Sequence, residues 1–185
     1  MNTHPTQAIA PEELVQAIRT CTGEVFATML GIEINAGDTL AESSEAIAPT
    51  SGLVALVGLA GTWSGTGSVS CTGQFACQMA SQLLMSQYDS LNEDVLDAMG
   101  EVANMIIGNV KTHLEEKIGP MGLSTPTVIY GRNFQTRSAR VHKWTIVPFS
   151  SGEERLYVQL CLAPNREFEG ESTRLSIQLP QVLTI

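Results

Sequence analysis

The sequence is short of basic residues, with 10 Lys and Arg against 19 Asp and Glu and a formal net charge of −9. A protein that binds a nucleic-acid duplex normally has a basic surface, so we expect no nucleic-acid partner. The one local exception is a basic cluster in a polar connection between two predicted strands. We interpret it as a solvated hairpin tip, with docking of an acidic partner as the alternative. Its members are Arg132, Arg137, Arg140, His142 and Lys143.

Long hydrophobic runs and secretion signals are also missing. The longest apolar stretch, "GLVALVGLAG" at residues 52–61, is too short and too rich in glycine to span a bilayer. The N-terminal residues "MNTHPTQAIAPEE" contain neither the basic segment nor the apolar core of a signal peptide. We therefore expect a cytoplasmic protein with no membrane partner.

Cysteine and histidine do not occur at the spacing of a metal site. Cys21, Cys71, Cys77 and Cys161 form no C-x-x-C pair, and the three histidines are scattered. We predict no metal site in this chain and four reduced, mostly buried thiols.

The composition that remains is that of a globular domain. The chain has 185 residues, of which 43% are hydrophobic and 16% are charged, which is enough for one domain with a sizeable core. We predict a flexible arm over residues 1–10 and a single domain over residues 11–185.

Hydrophobic periodicity predicts three helices. The first begins at Pro11 and ends at Gly31, and its apolar stripe is Leu14, Ile18, Cys21, Val25 and Met29. The second follows a Thr72 N-cap, and the third runs from about Asn92 to Lys117, where "GPMG" ends it.

Strands are predicted on both sides of the second and third helices. Without β-α-β alternation, this order predicts an α+β fold in which helices pack on a mostly antiparallel sheet. We expect a strand near 32–43, then a loop near 44–51. "LVALVGLAG" and "TWSGTGSVSC" follow as two strands joined at Gly58–Gly61, the first of them central in the sheet. The later strands are "TPTVIYG", "KWTIVPF", "RLYVQLCLAP" and an edge strand in the C-terminal "TRLSIQLPQVLTI".

The third helix carries a polar line that its folding does not require. At about 100° per residue, Glu101 lies about 40° and Asn104 about 20° from Asp97 around the helix axis. The arc of the third helix opposite these residues is apolar, so we predict that it is the buried side. Asn104 is a modest helix former, and Gly108, one turn further on, costs about 1 kcal/mol relative to Ala. A small residue there leaves room for a partner to approach Asn104 closely.

These side chains suggest how the line could act. The Asn104 amide has a donor and an acceptor, so it can hold a water in place but cannot act as a base near neutral pH. Glu101 is a fixed anion suited to a cationic group of a partner. A solvated helix face without a function is the alternative interpretation, because E-x-x-N alone is a weak motif.

At these residues the sequence resembles the CheC/CheX/FliY family of bacterial chemotaxis phosphatases. The family pattern is Asp or Ser, then Glu, then Asn, then a distant Pro, and it corresponds here to Asp97, Glu101, Asn104 and Pro126. The segment "DAMGEVANMIIGNVKTHL" is close to the family consensus, and the similarity covers roughly residues 12–163. A single copy of the motif indicates the CheX-like branch, whose members are commonly homodimers.

The resemblance implies a function and assigns roles. The substrate would be the aspartyl phosphate of a CheY-type receiver domain, in chemotaxis or other two-component signalling. The receiver would supply the Mg²⁺, and this chain would bind no cofactor. Asn104 would orient the attacking water and Glu101 would pair with the receiver's active-site lysine. Asp97, Gly108 and Pro126 would support the motif, with Pro126 shaping the strand that follows.

Two other classes of function are alternatives. A non-catalytic receiver-binding or scaffold module could use the same helix or a sheet edge, and it would bind receivers regardless of phosphorylation. An independent metallohydrolase is disfavoured because the sequence has no cluster of metal ligands.

Overall fold

The computed structural model describes residues 9–43, 51–132 and 144–165. Most of the predicted N-terminal arm and all of the predicted C-terminal strand lie outside these residues. The elements in chain order are α1 (Pro11–Val25), β1 (Asn35–Ala36), β2 (Leu40–Ser43), β3 (Ser51–Gly61), β4 (Trp63–Cys71), α2 (Gly73–Leu83), α3 (Glu93–Ile118), β5 (Met121–Leu123), β6 (Thr127–Arg132), β7 (Trp144–Ser151) and β8 (Glu154–Pro164).

The strands form one antiparallel sheet in the order β1-β7-β8-β4-β3-β5, in which β2 also pairs with β7 and β6 also pairs with β3. Alternate residues of the strands, such as Leu53 and Ala55 in β3 and Val158 in β8, belong to the same buried cluster as the three helices. The predicted α+β class is therefore confirmed. The central position predicted for the first apolar strand is also confirmed, because β3 has neighbours on both sides.

The reversal between β3 and β4 is not where the glycines suggested. The segment Gly58–Gly61 was predicted to be a turn, but β3 continues through it and the chain reverses at Thr62. The glycines meet a packing requirement instead. A Cβ at Gly61 would lie 2.2 Å from the carbonyl oxygen of Pro120, so only glycine allows that approach.

The strand predicted near 32–43 is two short strands, β1 and β2, which both pair with β7. A strand that the sequence did not predict, β5, pairs with the end of β3. The loop predicted near 44–51 lies largely outside the described residues, and Ser51 is the first residue of β3.

The ends of the helices follow local sequence signals. Pro11 is in the first turn of α1, and the Thr72 side chain accepts a hydrogen bond from the backbone N–H of Phe75 at the start of α2. Beyond Val25, residues Phe26–Leu30 form a π-helical turn that ends at Gly31, where φ is +61°. The wider turn breaks the 3.6-residue phase of the apolar stripe. As a result Met29, predicted to be part of that stripe, is 52% exposed.

The basic cluster was predicted to be a hairpin tip, and the strand order contradicts this. The flanking strands β6 and β7 are separated by β3, β4 and β8, so no hairpin joins them. Apart from the backbone of Arg132, the cluster itself lies outside the described residues. None of the helices in the described ranges has an apolar segment long enough to cross a bilayer.

Candidate functional site on helix α3

Helix α3 begins at a capped N-terminus and lies on the sheet along its apolar side. The Asn92 side chain accepts a hydrogen bond from the Val95 N–H at 3.0 Å. One whole side of the helix is buried against the sheet and the other helices. Its members include the full predicted apolar arc: Val95, Met99, Val102, Ala103, Ile106, Ile107 and Val110.

A glycine in β4 lets α3 approach the sheet closely. A Cβ at Gly67 would lie 2.6 Å from Cδ1 of Ile107, so the Ile107 side chain fills the space that a larger residue would need. This explains the small-residue character of "GTWSGTGSVS", which matches neither a nucleophile elbow nor a dinucleotide-binding loop. The contact lets the buried side of α3 lie directly on β4.

The polar line lies on the opposite side of α3. Asp97 and Glu101 are exposed, whereas Asn104 and Gly108 are half-buried. Within the described part of the chain, neither Glu101 nor Asn104 makes a side-chain hydrogen bond or an ion pair. A carboxylate and an amide are therefore held on a rigid helix with their polar groups available to a partner.

The structure also brings Pro126 to the polar line. Pro126 is half-buried in the connection between β5 and β6 and lies beside Gly100 of α3. A Cβ at Gly100 would be 3.6 Å from Pro126 Cβ and 3.5 Å from Val128 Cγ2. Gly100 precedes Glu101 directly and is one turn before Asn104. Sequence reasoning missed Gly100, although a glycine inside a helix is a signal of close approach.

The surroundings of Gly108 differ from the open approach that the sequence suggested. A Cβ there would meet Leu123 Cδ1 at 3.4 Å, which is an ordinary contact distance. The position is thus bordered by β5 on one side. An added methyl group would fit, so the fold does not require glycine at this position.

Further along the same side, Glu115 of α3 forms an ion pair within the helix and accepts a hydrogen bond from β5. Lys111 Nζ lies 2.7 Å from Glu115 Oε1, and the same carboxylate accepts a hydrogen bond from the Met121 N–H at 2.7 Å. The hydrogen bond from Lys111, followed by that from Met121, holds the pKa of Glu115 below its usual value. Lys111 is therefore engaged within the chain, and the free polar groups of the line are those nearer the N-terminus.

In the described ranges, no three His, Cys, Asp or Glu side chains converge where they could hold a metal ion. The four cysteines are free and buried, as predicted, and burial raises the pKa of the Cys71 thiol. A cleft of about 650 Å³ between α2 and the connection to α3 is lined by residues such as Gly73, Cys77 and Leu91. It includes no residue of the motif.

Solved structures with a similar fold include chemotaxis proteins of the CheX type. A chemotaxis protein CheX from Desulfovibrio desulfuricans has a TM-score of 0.73 at 28% identity, covering 82% of this chain and 99% of that one. A chain of the CheX–CheY–BeF3–Mg²⁺ complex from Borrelia burgdorferi has a TM-score of 0.69 at 27% identity. The match covers 80% of this chain and 97% of that one. The fold is therefore of the CheC/CheX type.

Sequence comparison narrows this class to a family. A family model described as chemotaxis phosphatase CheX matches residues 53–150, which is more than half of the chain. The CheY-P phosphatase CheX of Thermotoga maritima is 30% identical over 126 residues, which are 68% of this chain and 80% of that protein. The chain belongs to the CheX family of chemotaxis phosphatases.

Proposed function

We propose that this protein is a phosphatase that removes the phosphoryl group from the aspartyl phosphate of a CheY-type response regulator. The observation that carries the proposal is the pair Glu101 and Asn104, which α3 holds outward without a partner in the described chain. Family membership and the CheY-P phosphatase relative support it. The similarity to a chain of a CheX–CheY complex supports a CheY-type receiver as the partner.

In this mechanism the helix completes an active site that the receiver begins. The Asn104 amide holds a water in line with the phosphorus, and Glu101 pairs with the receiver's active-site lysine. The water oxygen forms a bond to phosphorus while the bond to the aspartyl oxygen breaks. The products are inorganic phosphate and the free carboxylate. The rate gain comes from positioning, because an amide does not act as a base near neutral pH.

The Mg²⁺ of the proposed reaction is bound by the receiver. When bound there, it neutralises charge on the transferring phosphoryl group. The described residues of this chain offer no ligand cluster of their own, and the nearest carboxylates, Asp97 and Glu101, lie on an exposed helix face. Asp97, Gly108 and Pro126 have supporting roles around the catalytic pair.

We also propose that the protein works as a homodimer in the cytoplasm, where phosphorylated receivers act. Strand β6 supports a dimer, because in the described ranges it pairs only with β3. It exposes 37% of Ile129 and 61% of Tyr130 beside that open edge. Light scattering after size exclusion tests this proposal, with twice the 19.8 kDa chain mass as the expected result and the chain mass itself as the contradicting one.

The function is tested by measuring phosphate release from a phosphorylated CheY-type receiver with Mg²⁺, with and without the protein. We expect a clear acceleration at substoichiometric amounts of the protein. Binding that is indifferent to phosphorylation, without acceleration, would instead identify a scaffold module. If the protein neither binds the organism's receivers nor accelerates their dephosphorylation, the proposal as a whole is contradicted.

A further inference from the structure

The connection between β5 and β6 is fixed to the sheet by one serine. The N–H of Gly58 in β3 donates to Ser124 Oγ at 2.8 Å, and the N–H of Ser124 donates to the Gly58 carbonyl oxygen at 2.9 Å. Ser124 Oγ in turn donates to the carbonyl oxygen of Thr125 at 3.0 Å. The hydroxyl and the backbone N–H of Ser124 therefore both join the connection to Gly58 of β3.

The register of β3 shows why this contact is needed. Residues 59–61 pair with β5 and residues 51–56 pair with β6, so Gly58 lies between two ladders. The Ser124 side chain takes the place of a strand at this point and satisfies a backbone donor. A Cβ at Gly58 would be 3.2 Å from Ser124 Oγ, which is a tight contact. Glycine at this position therefore allows the hydroxyl to lie close to the backbone of β3. Residues 124–126 thus leave the ladder in a defined conformation.

The same three residues reach the catalytic helix. Pro126, two residues beyond Ser124, packs at Gly100, which is directly before Glu101 in α3. A continuous line of contacts therefore runs from Gly58 through Ser124 and Pro126 to the helical turn that carries Glu101 and Asn104. Neither Ser124 nor Gly58 belongs to the family motif.

We propose that Ser124 is a positioning residue for the phosphatase reaction, which sets the place of Glu101 and Asn104 through Pro126. This inference rests on the proposed function. The Ser124 hydroxyl holds Pro126 at a fixed distance from β3. Pro126 in turn packs against α3 at Gly100 and so fixes the position of that helical turn. Without the hydroxyl, the Gly58 N–H loses its acceptor and the connection can shift. Pro126 then no longer holds the helical turn of Glu101 and Asn104 in one place.

The test uses two changes that disturb the same contact from opposite sides. Ser124→Ala removes the hydroxyl, and Gly58→Ala crowds it. Since a misplacement of 1 Å can cost about 100-fold in rate, we expect each partial loosening to lower kcat for phosphate release by about three- to tenfold. KM for the phosphorylated receiver should change much less, because neither residue is part of the proposed pair that contacts it. The double variant should be no slower than the slower single variant, since both remove one contact.

Two controls separate positioning from general damage. Ser124→Thr keeps the hydroxyl and should restore kcat. Ser90→Ala removes an exposed serine hydroxyl from the connection between α2 and α3 and should leave kcat at the wild-type value.

The inference is overturned if folded Ser124→Ala and Gly58→Ala release phosphate as fast as the wild type, or if their losses multiply in the double variant. If Ser124→Ala does not fold, Gly58→Ala decides alone. A wild-type protein that does not accelerate release contradicts the proposed function instead, so the two failures are distinguishable.

Discussion

The two sides of α3 meet different requirements. On the buried side, Val102, Ile106, Ile107 and Val110 are completely enclosed, and Ile107 fits over Gly67 of β4. On the outer side, Glu101 and Asn104 make no side-chain hydrogen bond or ion pair within the described chain. The buried side thus determines where the helix lies, whereas the outer side determines what the helix can do there. Changes on the two sides should therefore separate stability from activity.

The largest expected effect on stability comes from the buried side. Ile107→Ala empties the space over Gly67, and we expect the free energy of unfolding to fall by about 2–5 kcal/mol. Urea denaturation followed by far-UV circular dichroism measures this. Phosphate release per folded molecule should be retained under conditions where the variant is folded. A loss of activity in the fully folded variant would show that Ile107 also sets the position of Glu101 and Asn104.

On the outer side, Glu101→Gln should lower kcat/KM for phosphate release by about tenfold, which corresponds to about 1.4 kcal/mol of transition-state stabilisation. The reason is loss of the anion proposed to pair with the receiver's lysine. Glu116→Gln is the matched control, because Glu116 is exposed on the same helix and the change in net charge is the same. Equal losses in both variants would indicate only long-range attraction between the proteins.

The two glycines of α3 allow a sharper comparison. Gly100→Ala and Gly108→Ala each add a methyl group with room to fit, so each should raise the free energy of unfolding by up to about 1 kcal/mol. Gly108→Ala should also slow phosphate release, by several-fold, because its methyl group lies on the polar line one turn from Asn104, where the receiver is proposed to approach. Thermal denaturation and the release assay are run on both variants. If Gly108→Ala is as active as the wild type, the partner does not need that space.

The smallest effect concerns Glu115, whose carboxylate holds Lys111 and the Met121 N–H. Its pKa is lower in the folded protein than the usual value of about 4.3. Its stabilising contribution is therefore complete above that value and is lost as the pH falls through the folded pKa. Relative to Glu115→Gln, the wild type should lose more stability between about pH 5 and pH 3. Parallel stability curves for the two proteins would contradict this role.

Local signals in the sequence were enough to predict the helices and the outward line. Pro11, Thr72 and Asn92 are at helix starts because capping depends on neighbouring residues only. The buried arc of α3 followed from periodicity, and with it the direction of Glu101 and Asn104.

Features that depend on distant partners could not be predicted in the same way. The three-residue strand β5 exists because β3 offers an edge to it, and Gly61 is a strand residue because Pro120 approaches it. The separation of β6 from β7 is a property of the whole sheet, so the polar connection looked like a hairpin. The contact between Ser124 and Gly58 joins residues that are 66 positions apart.

The outer side of α3 is proposed to provide catalysis through Asn104. Asn109 supplies the most direct test, because it is exposed on the same helix but lies off the polar line. Initial rates of phosphate release from one phosphorylated receiver are compared for Asn104→Ala and Asn109→Ala. We expect Asn104→Ala to be about 100-fold slower than the wild type and Asn109→Ala to equal it, with little change in thermal stability for either. If Asn104→Ala releases phosphate as fast as Asn109→Ala, the amide does not position the water and the account is wrong.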